Sequence, residues 1–120
     1  MSTILVVDDT KSELELIGDY LRKSGHTVVC TSDAQEALDT ATNYEIDAII
    51  ADVVMPGMSG FELCRQLKSS PITNSVPIIF CSSKDKEIDR LWAMKQGADM
   101  YLAKPVTQND LATAVAKVVD

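Results

Sequence analysis

Apolar and polar residues form alternating blocks along this chain, and the blocks predict a strand followed by a helix five times over. Short continuous apolar runs are typical of strands that are buried on both faces. The predicted strands cover residues 4–7, 27–30, 46–51, 78–81 and 100–103. Each run is followed by a stretch whose apolar residues recur at helical spacing, so a helix is predicted after every strand.

The predicted helices begin at recognisable sequence signals. A Ser or Thr followed three residues later by an acid or amide is a capping box; such pairs start at Thr10, Ser32, Ser59 and Thr107. The fourth helix is predicted over residues 86–96, with apolar positions at Ile88, Leu91 and Trp92. Trp92 is either a packing residue of that helix or an anchor for a partner protein.

Strict alternation of strands and helices predicts a doubly wound α/β fold. The strands form a parallel sheet, and right-handed crossovers place the five helices on both of its faces. For five strands the flavodoxin-like order 2-1-3-4-5 is expected, with ligands at the carboxyl ends of the strands near strands 1 and 3.

Composition narrows the class of protein. The chain has 120 residues, of which 46% are apolar, which suits one globular domain over 1–120 with no effector domain. The apolar runs are far shorter than the roughly 20 residues that a membrane helix needs. The first residues lack the pattern of a secretory signal. We therefore expect a cytoplasmic protein without membrane insertion.

Charge and cysteine content argue against nucleic-acid binding, a zinc site and a disulfide framework. The net charge of −7 disfavours binding to nucleic acid, so output through protein contact is expected. Cys30, Cys64 and Cys81 form no C-x-x-C pair and are odd in number, which suggests neither a zinc site nor a disulfide framework. We expect all three to be small core residues. His26 opens the second strand and is expected to be a surface or packing residue.

Polar residues stand at the carboxyl ends of four predicted strands. Asp8 and Asp9 follow the first strand, Asp52 the third, Ser82 the fourth and Lys104 the fifth. Because these ends meet at one edge of a parallel sheet, the side chains are expected to lie together. Neighbouring carboxylates repel one another unless a cation lies between them, and hard oxygen ligands suit Mg²⁺. The sequence therefore predicts a magnesium site that can take a phosphate.

Each of these residues also has a plainer interpretation. An acid pair such as Asp8–Asp9 can stabilise the N-terminus of a helix through its dipole. Ser82 alone can be a turn residue, and Lys104 alone can be a solvated side chain. Their convergence on the edge where ligands bind favours the site.

The motifs resemble those of the response-regulator receiver domains, the CheY-like phosphorylation switches of two-component signalling. The resemblance covers the whole chain and rests on four motifs: Asp8-Asp9, the pattern Asp-x-x-Met-Pro-Gly-x-x-Gly over 52–60, Ser82, and Lys104-Pro105. It implies that Asp52 accepts a phosphoryl group from a sensor histidine kinase (CheA-like). The chain would then be a signalling phosphoacceptor, not an enzyme acting on a separate substrate.

The same resemblance implies a role for each residue of the site. Asp9, Asp52 and the backbone carbonyl of Val54 would bind Mg²⁺, with Asp8 acting mainly through a metal-bound water. Ser82 would donate a hydrogen bond to the phosphoryl group, and Lys104 would pair with it. Ser82 and Tyr101 would form a switch, in which Tyr101 rotates inward after phosphorylation. The face made by the fourth helix, the fifth strand and the fifth helix would change as a result.

Three positions refine this interpretation. Ser82 replaces the more frequent threonine. Val54 is apolar and cannot orient an attacking water, and Lys84 is cationic where acids or amides are common in the family, so slow autodephosphorylation is expected. Residues 83–98 resemble the PilH-type regulators of type IV pilus motility. The resemblance also implies a cis peptide bond between Lys104 and Pro105.

Other classes remain to be weighed against a receiver domain. A flavodoxin-like cofactor binder needs a phosphate cradle where Asp8 and Asp9 stand. An aspartate-nucleophile phosphatase needs an Asp-x-Asp pair and a cap domain, which the sequence lacks. The alternative that shares the fold is a protein-binding module that is not regulated by phosphorylation.

Overall fold

Five parallel strands form a sheet in the order β2-β1-β3-β4-β5. The computed structural model describes residues 2–119. The strands are β1 (Thr3–Val7), β2 (Thr27–Thr31), β3 (Ala48–Ala51), β4 (Ile78–Ser82) and β5 (Met100–Ala103). The helices are α1 (Lys11–Lys23), α2 (Ala34–Asn43), α3 (Gly60–Ser69), α4 (Glu87–Lys95) and α5 (Gln108–Val118). The predicted fold class and strand order are confirmed.

The sheet separates two apolar cores because successive strand residues point to opposite faces. On one face Leu5, Ile49 and Phe80 pack against α2, α3 and Ala93 of α4. On the other face the alternate strand residues, among them Ile4 and Ile50, pack against α1 and α5. Fully burying a large aliphatic side chain contributes about 1.5–3 kcal/mol. The central strands are covered on both sides, which holds their carboxyl ends in place.

Helix α1 begins after Thr10 as predicted, but the capping contacts predicted for α1 and α2 are not the ones found. At α1 the Thr10 side chain makes no capping hydrogen bond, so the Thr10–Glu13 capping box is absent. Instead, the Glu13 carboxylate lies 3.3 Å from the ammonium of Lys104. The N–H of Thr10 that a capping box would use donates to Asp8 Oδ1 at 2.9 Å, so the Glu13 carboxylate is left to pair with this partly buried cation.

Helix α2 is capped by Asp33, not by the predicted Ser32. The Asp33 carboxylate accepts a hydrogen bond from the N–H of Glu36 at 3.3 Å. Asp and Ser are about equally good N-caps, so residue type does not distinguish Ser32 from Asp33. The predicted caps at Ser59 and Thr107 are confirmed, and Thr107 forms a complete capping box with Asp110.

Helix α4 exposes the apolar residues that were predicted as its face. Ile88 and Leu91 are each 53% exposed and Trp92 is 50% exposed. Only Ala93 of this helix is buried. Helix α4 therefore contacts the core through one small residue. Because half of the Trp92 side chain is exposed, the interpretation of Trp92 as a packing residue does not hold.

The prediction that the cysteines are core residues is right for two of the three. Cys64 and Cys81 are buried, but Cys30 is exposed. The difference arises because β2 is an edge strand and most of its side chains are only partly covered. His26 precedes β2 and is partly buried, as expected. No helix within residues 2–119 has the length and apolar character that crossing a bilayer would require.

Candidate functional site

The carboxyl ends of four strands converge at one edge of the sheet. Parallel pairing continues past the strands: the N–H of Asp52 donates to the Val7 carbonyl at 3.0 Å. In the same way the N–H of Lys104 donates to the Ser82 carbonyl at 2.8 Å. These backbone bonds fix where the following side chains begin. The structure thus brings together the residues that the sequence predicted for this edge.

Three acids form a compact group at this edge. Asp8, Asp9 and Asp52 each offer a carboxylate oxygen, and these oxygens all lie within 4.8 Å of one another. Asp8 is buried, Asp52 is partly buried and Asp9 is exposed. Several carboxylate oxygens converging on one point are the donors that Mg²⁺ prefers, so the group fits that ion. Val54 lies in the adjacent loop with its side chain exposed.

Lys104 is held by three carboxylates. Its Nζ lies 2.7 Å from Asp8 Oδ2, 3.3 Å from Asp52 Oδ2 and 3.3 Å from Glu13 Oε1. Burial lowers the pKa of this ammonium, but the hydrogen bond to Asp8 and the charge of Asp52 outweigh it and raise the pKa above its ordinary value. Lys104 therefore stays charged. The peptide bond that follows it, to Pro105, is cis.

The loop after β3 approaches Asp52 closely. A Cβ added to Gly60 would lie only 2.0 Å from the carbonyl oxygen of Asp52. The N–H of Gly60 also donates to the Val53 carbonyl at 2.8 Å. The last glycine of the 52–60 motif is thus required by close packing of the loop against the residue it follows.

Ser82 and Tyr101 are joined through the loop between β4 and α4. Ser82 is buried, and its Oγ accepts a hydrogen bond from the N–H of Lys84 at 3.2 Å. The hydroxyl of Tyr101 donates to the carbonyl of Lys84. Tyr101 is only 8% exposed, so its ring lies inside the protein. Burial raises the pKa of its hydroxyl.

Two charged residues at this site were not predicted from the sequence. Glu13 was assigned to a helix cap, and its contact with Lys104 joins the first turn of α1 to the residue that follows β5. Arg90 of α4 donates from Nη1 to the Tyr101 carbonyl at 3.1 Å, with its guanidinium 5.3 Å from the ring centroid. Neither contact has a local sequence signal. For Glu13, the one indication was its position in the first turn of the helix that follows Asp8 and Asp9.

The arrangement suits an anionic group bound at Asp52. One oxygen of Asp52, Oδ1, accepts the N–H of Val53 at 2.7 Å, while Oδ2 faces Lys104. An ammonium and a donor set for a divalent cation thus flank one partly buried carboxylate. Such a site can neutralise negative charge that develops on a transferred group.

Comparison with known proteins places the chain in a family. The model of the response regulator receiver domain matches residues 4–116. The chain is 35% identical over 119 residues to the protein PilH of Pseudomonas aeruginosa, covering 99% of this chain and 98% of that protein.

Solved structures agree with this match. The chemotaxis protein CheY4 of Vibrio cholerae is similar with a TM-score of 0.93 and 28% identity, covering 99% of each chain. The receiver domain of the sensor histidine kinase PA1611 of Pseudomonas aeruginosa has a TM-score of 0.91 and 27% identity, covering 98% of this chain and 96% of that one. That structure has a magnesium ion coordinated in its active site cleft. With the strand order, the edge residues and the family match in agreement, the chain belongs to the response regulator receiver domain family.

Proposed function

We propose that this chain is a cytoplasmic response regulator that accepts a phosphoryl group on Asp52 from a CheA-like sensor histidine kinase. Asp8, Asp9, Asp52 and the backbone carbonyl of Val54 would hold Mg²⁺, with Asp8 acting mainly through water. The observation that carries the proposal is the acid group within 4.8 Å together with the Lys104 ammonium 3.3 Å from Asp52. The magnesium in the cleft of the related PA1611 domain supports the choice of ion.

In the proposed reaction a carboxylate oxygen of Asp52 attacks the phosphorus of a phosphohistidine on the kinase. The new O–P bond forms as the N–P bond breaks, and the electron pair of the broken bond stays on the imidazole nitrogen. When bound, Mg²⁺ would neutralise charge on the phosphoryl oxygens. Lys104 would pair with one of those oxygens, and the Ser82 hydroxyl would donate a hydrogen bond to another.

Output would pass through the face made by α4, β5 and α5. Phosphorylation would replace the single negative charge of the Asp52 carboxylate with a phosphoryl group that carries about −1.5 to −2. The bonds of Ser82 and Tyr101 to Lys84 connect Ser82 to the loop before α4. Ile88, Leu91 and Trp92 supply an exposed apolar surface on α4 for a partner protein. By its similarity to PilH, we propose that the pathway is pilus-based motility.

Acetyl phosphate with Mg²⁺ tests the phosphoacceptor directly. We expect the intact mass of the protein to increase by one phosphoryl group, and the increase to disappear in Asp52→Asn and after chelation of the metal. Asp19→Asn is the matched control, because this acid is exposed on α1 and pairs with Arg22, not with Lys104. Phosphorylation that survives in Asp52→Asn, or no phosphorylation at all, would contradict the proposal and favour a module that binds partners without this chemistry.

A further inference from the structure

Glu13 is a charged partner of Lys104 that lies on a different element from the other two. It stands in the first turn of α1, where its carboxylate was expected to cap the helix. The capping box is absent, because the Thr10 side chain makes no capping hydrogen bond. Instead, Glu13 Oε1 lies 3.3 Å from Lys104 Nζ. The Glu13 side chain is 29% exposed and that of Lys104 is 13% exposed. The contact is therefore partly shielded from water and is stronger than a surface ion pair.

The three partners of Lys104 differ in what else they can bind. Asp8 and Asp52 belong to the acid group that fits a divalent cation, while that group, among the described residues, does not include Glu13. With a cation held by the acid group, Asp8 and Asp52 would share their oxygens between it and Lys104. The ammonium would then be repelled by a neighbouring positive charge. Glu13 is the carboxylate that remains available to Lys104 alone.

We propose that Glu13 is a positioning residue that keeps the Lys104 ammonium on the α1 side of the site when the acid group binds a divalent cation, and releases it to an anionic group on Asp52. This inference rests on the proposed function and adds a residue to it. It assigns Glu13 opposite effects on two ligands. Glu13 assists cation binding, because it gives Lys104 a partner outside the acid group. It opposes anion binding, because it competes for the same ammonium.

Two substitutions at position 13 separate the contact from the charge. Glu13→Gln removes the charge with little change of shape. Glu13→Asp keeps the charge but shortens the side chain by one methylene, which withdraws the carboxylate from Lys104. Glu15→Gln is the matched control, because Glu15 is exposed two residues further along the same helix and makes the same change in net charge.

Calorimetry with Mg²⁺ alone, and with beryllofluoride at saturating Mg²⁺, reads both effects without enzymatic activity. We expect Glu13→Gln and Glu13→Asp to raise the Kd for Mg²⁺ by about threefold to tenfold and to lower the Kd for beryllofluoride by a similar factor. Glu15→Gln should change either constant by less than about twofold.

A double-mutant cycle with Lys104→Met tests whether Glu13 acts through this lysine. In the Lys104→Met background both effects of Glu13→Gln should shrink to those of Glu15→Gln. Urea unfolding of each variant verifies that it is folded. The inference is overturned if both Kd values move in the same direction, if Glu13→Gln matches Glu15→Gln, or if its effects persist unchanged without Lys104.

The magnesium titration keeps this inference separate from the proposed function. Failure of acetyl phosphate to modify Asp52 would defeat the proposed function, while the effect of Glu13 on the Kd for Mg²⁺ could still be measured. Phosphorylation of Asp52 with no coupling between Glu13 and Lys104 would defeat only the role of Glu13.

Discussion

At the scale of single residues, the site depends on where a few polar atoms meet buried surface. At position 54 the polar atom is missing: Val54 places an exposed apolar side chain two residues after Asp52. Hydrolysis of an acyl phosphate needs a water molecule aimed at the phosphorus, and an apolar side chain cannot hold one there. The chain therefore lacks at this position a group that would shorten the life of a phosphorylated state.

Val54→Asn should accelerate the loss of phosphate from Asp52 by about tenfold, because its amide can orient the attacking water. The exposed position makes the change harmless to the core. Phosphate release after removal of acetyl phosphate measures the rate, and Val54→Ala controls for loss of the valine methyls. Equal or slower release from Val54→Asn than from wild type would refute this role.

The thiols provide a second prediction at this scale. A disulfide reagent should modify Cys30 in the native protein, while Cys64 and Cys81 should react only after unfolding, because they are buried. Burial raises the pKa of Cys64 to about 11, against about 8.5 in an unfolded chain.

The pKa of Cys64 also sets a direction for stability against pH. A raised folded-state pKa favours the folded state below the unfolded value of about 8.5, and this contribution is lost as the pH rises toward 11. Cys64→Ala should therefore show a flatter fall in unfolding free energy over that pH range. An identical alkaline slope in the variant would count against burial as the cause.

At the scale of elements, the strands were predictable and the surroundings of the helices were not. Ile4, Ile49 and Ile79 lie in short apolar runs that are typical of strands buried on both faces. Helical spacing, in contrast, marks the apolar stripe of α4 but not whether another element covers it. The N-cap of α2 is Asp33 and not the predicted Ser32, because Asp and Ser are about equally good N-caps. The contacts of Glu13 and Arg90 join distant segments, so no local pattern contains them.

Arg90 links α4 to β5 through Tyr101, and its removal should loosen both. Arg90→Ala loses the hydrogen bond to the Tyr101 carbonyl and the contact with the ring. We expect the ring of Tyr101 to become more exposed and the Kd for beryllofluoride to rise about threefold, since an exchanging loop lowers the competent population. Fluorine NMR of fluorotyrosine-labelled protein, with the signal assigned by Tyr101→Phe, measures the exposure.

Lys95→Ala is the matched control for Arg90, because Lys95 lies over the ring of Trp92 on the same helix at 5.4 Å. It removes one cation from α4 without touching Tyr101. If both variants changed the Tyr101 signal equally, the effect would belong to the charge of the helix and not to the contact.

At the scale of the whole molecule, a single ammonium offsets several acids at the edge where the strands end. Lys104→Met should lower the free energy of unfolding by about 3 kcal/mol, because it leaves the buried carboxylate of Asp8 without its cation. Mg²⁺ should restore part of this loss by binding the acid group. Urea unfolding with and without Mg²⁺ measures both, and Lys117→Met on the last turn of α5 serves as the control. A Lys104→Met protein as stable as wild type would contradict the prediction that the buried Asp8 carboxylate depends on this ammonium.

The sparse burial of α4 has a consequence for how the domain opens. With Ala93 as the only buried residue among its nine, this helix has less apolar surface to lose on separating from the sheet than α1, α3 or α5. Its amide hydrogens should exchange with deuterium before those of α1, α3 and α5, through an opening that costs much less free energy than global unfolding. A protein that docks on Ile88, Leu91 and Trp92 would slow this exchange, so deuterium uptake by α4 offers a direct assay for candidate partners.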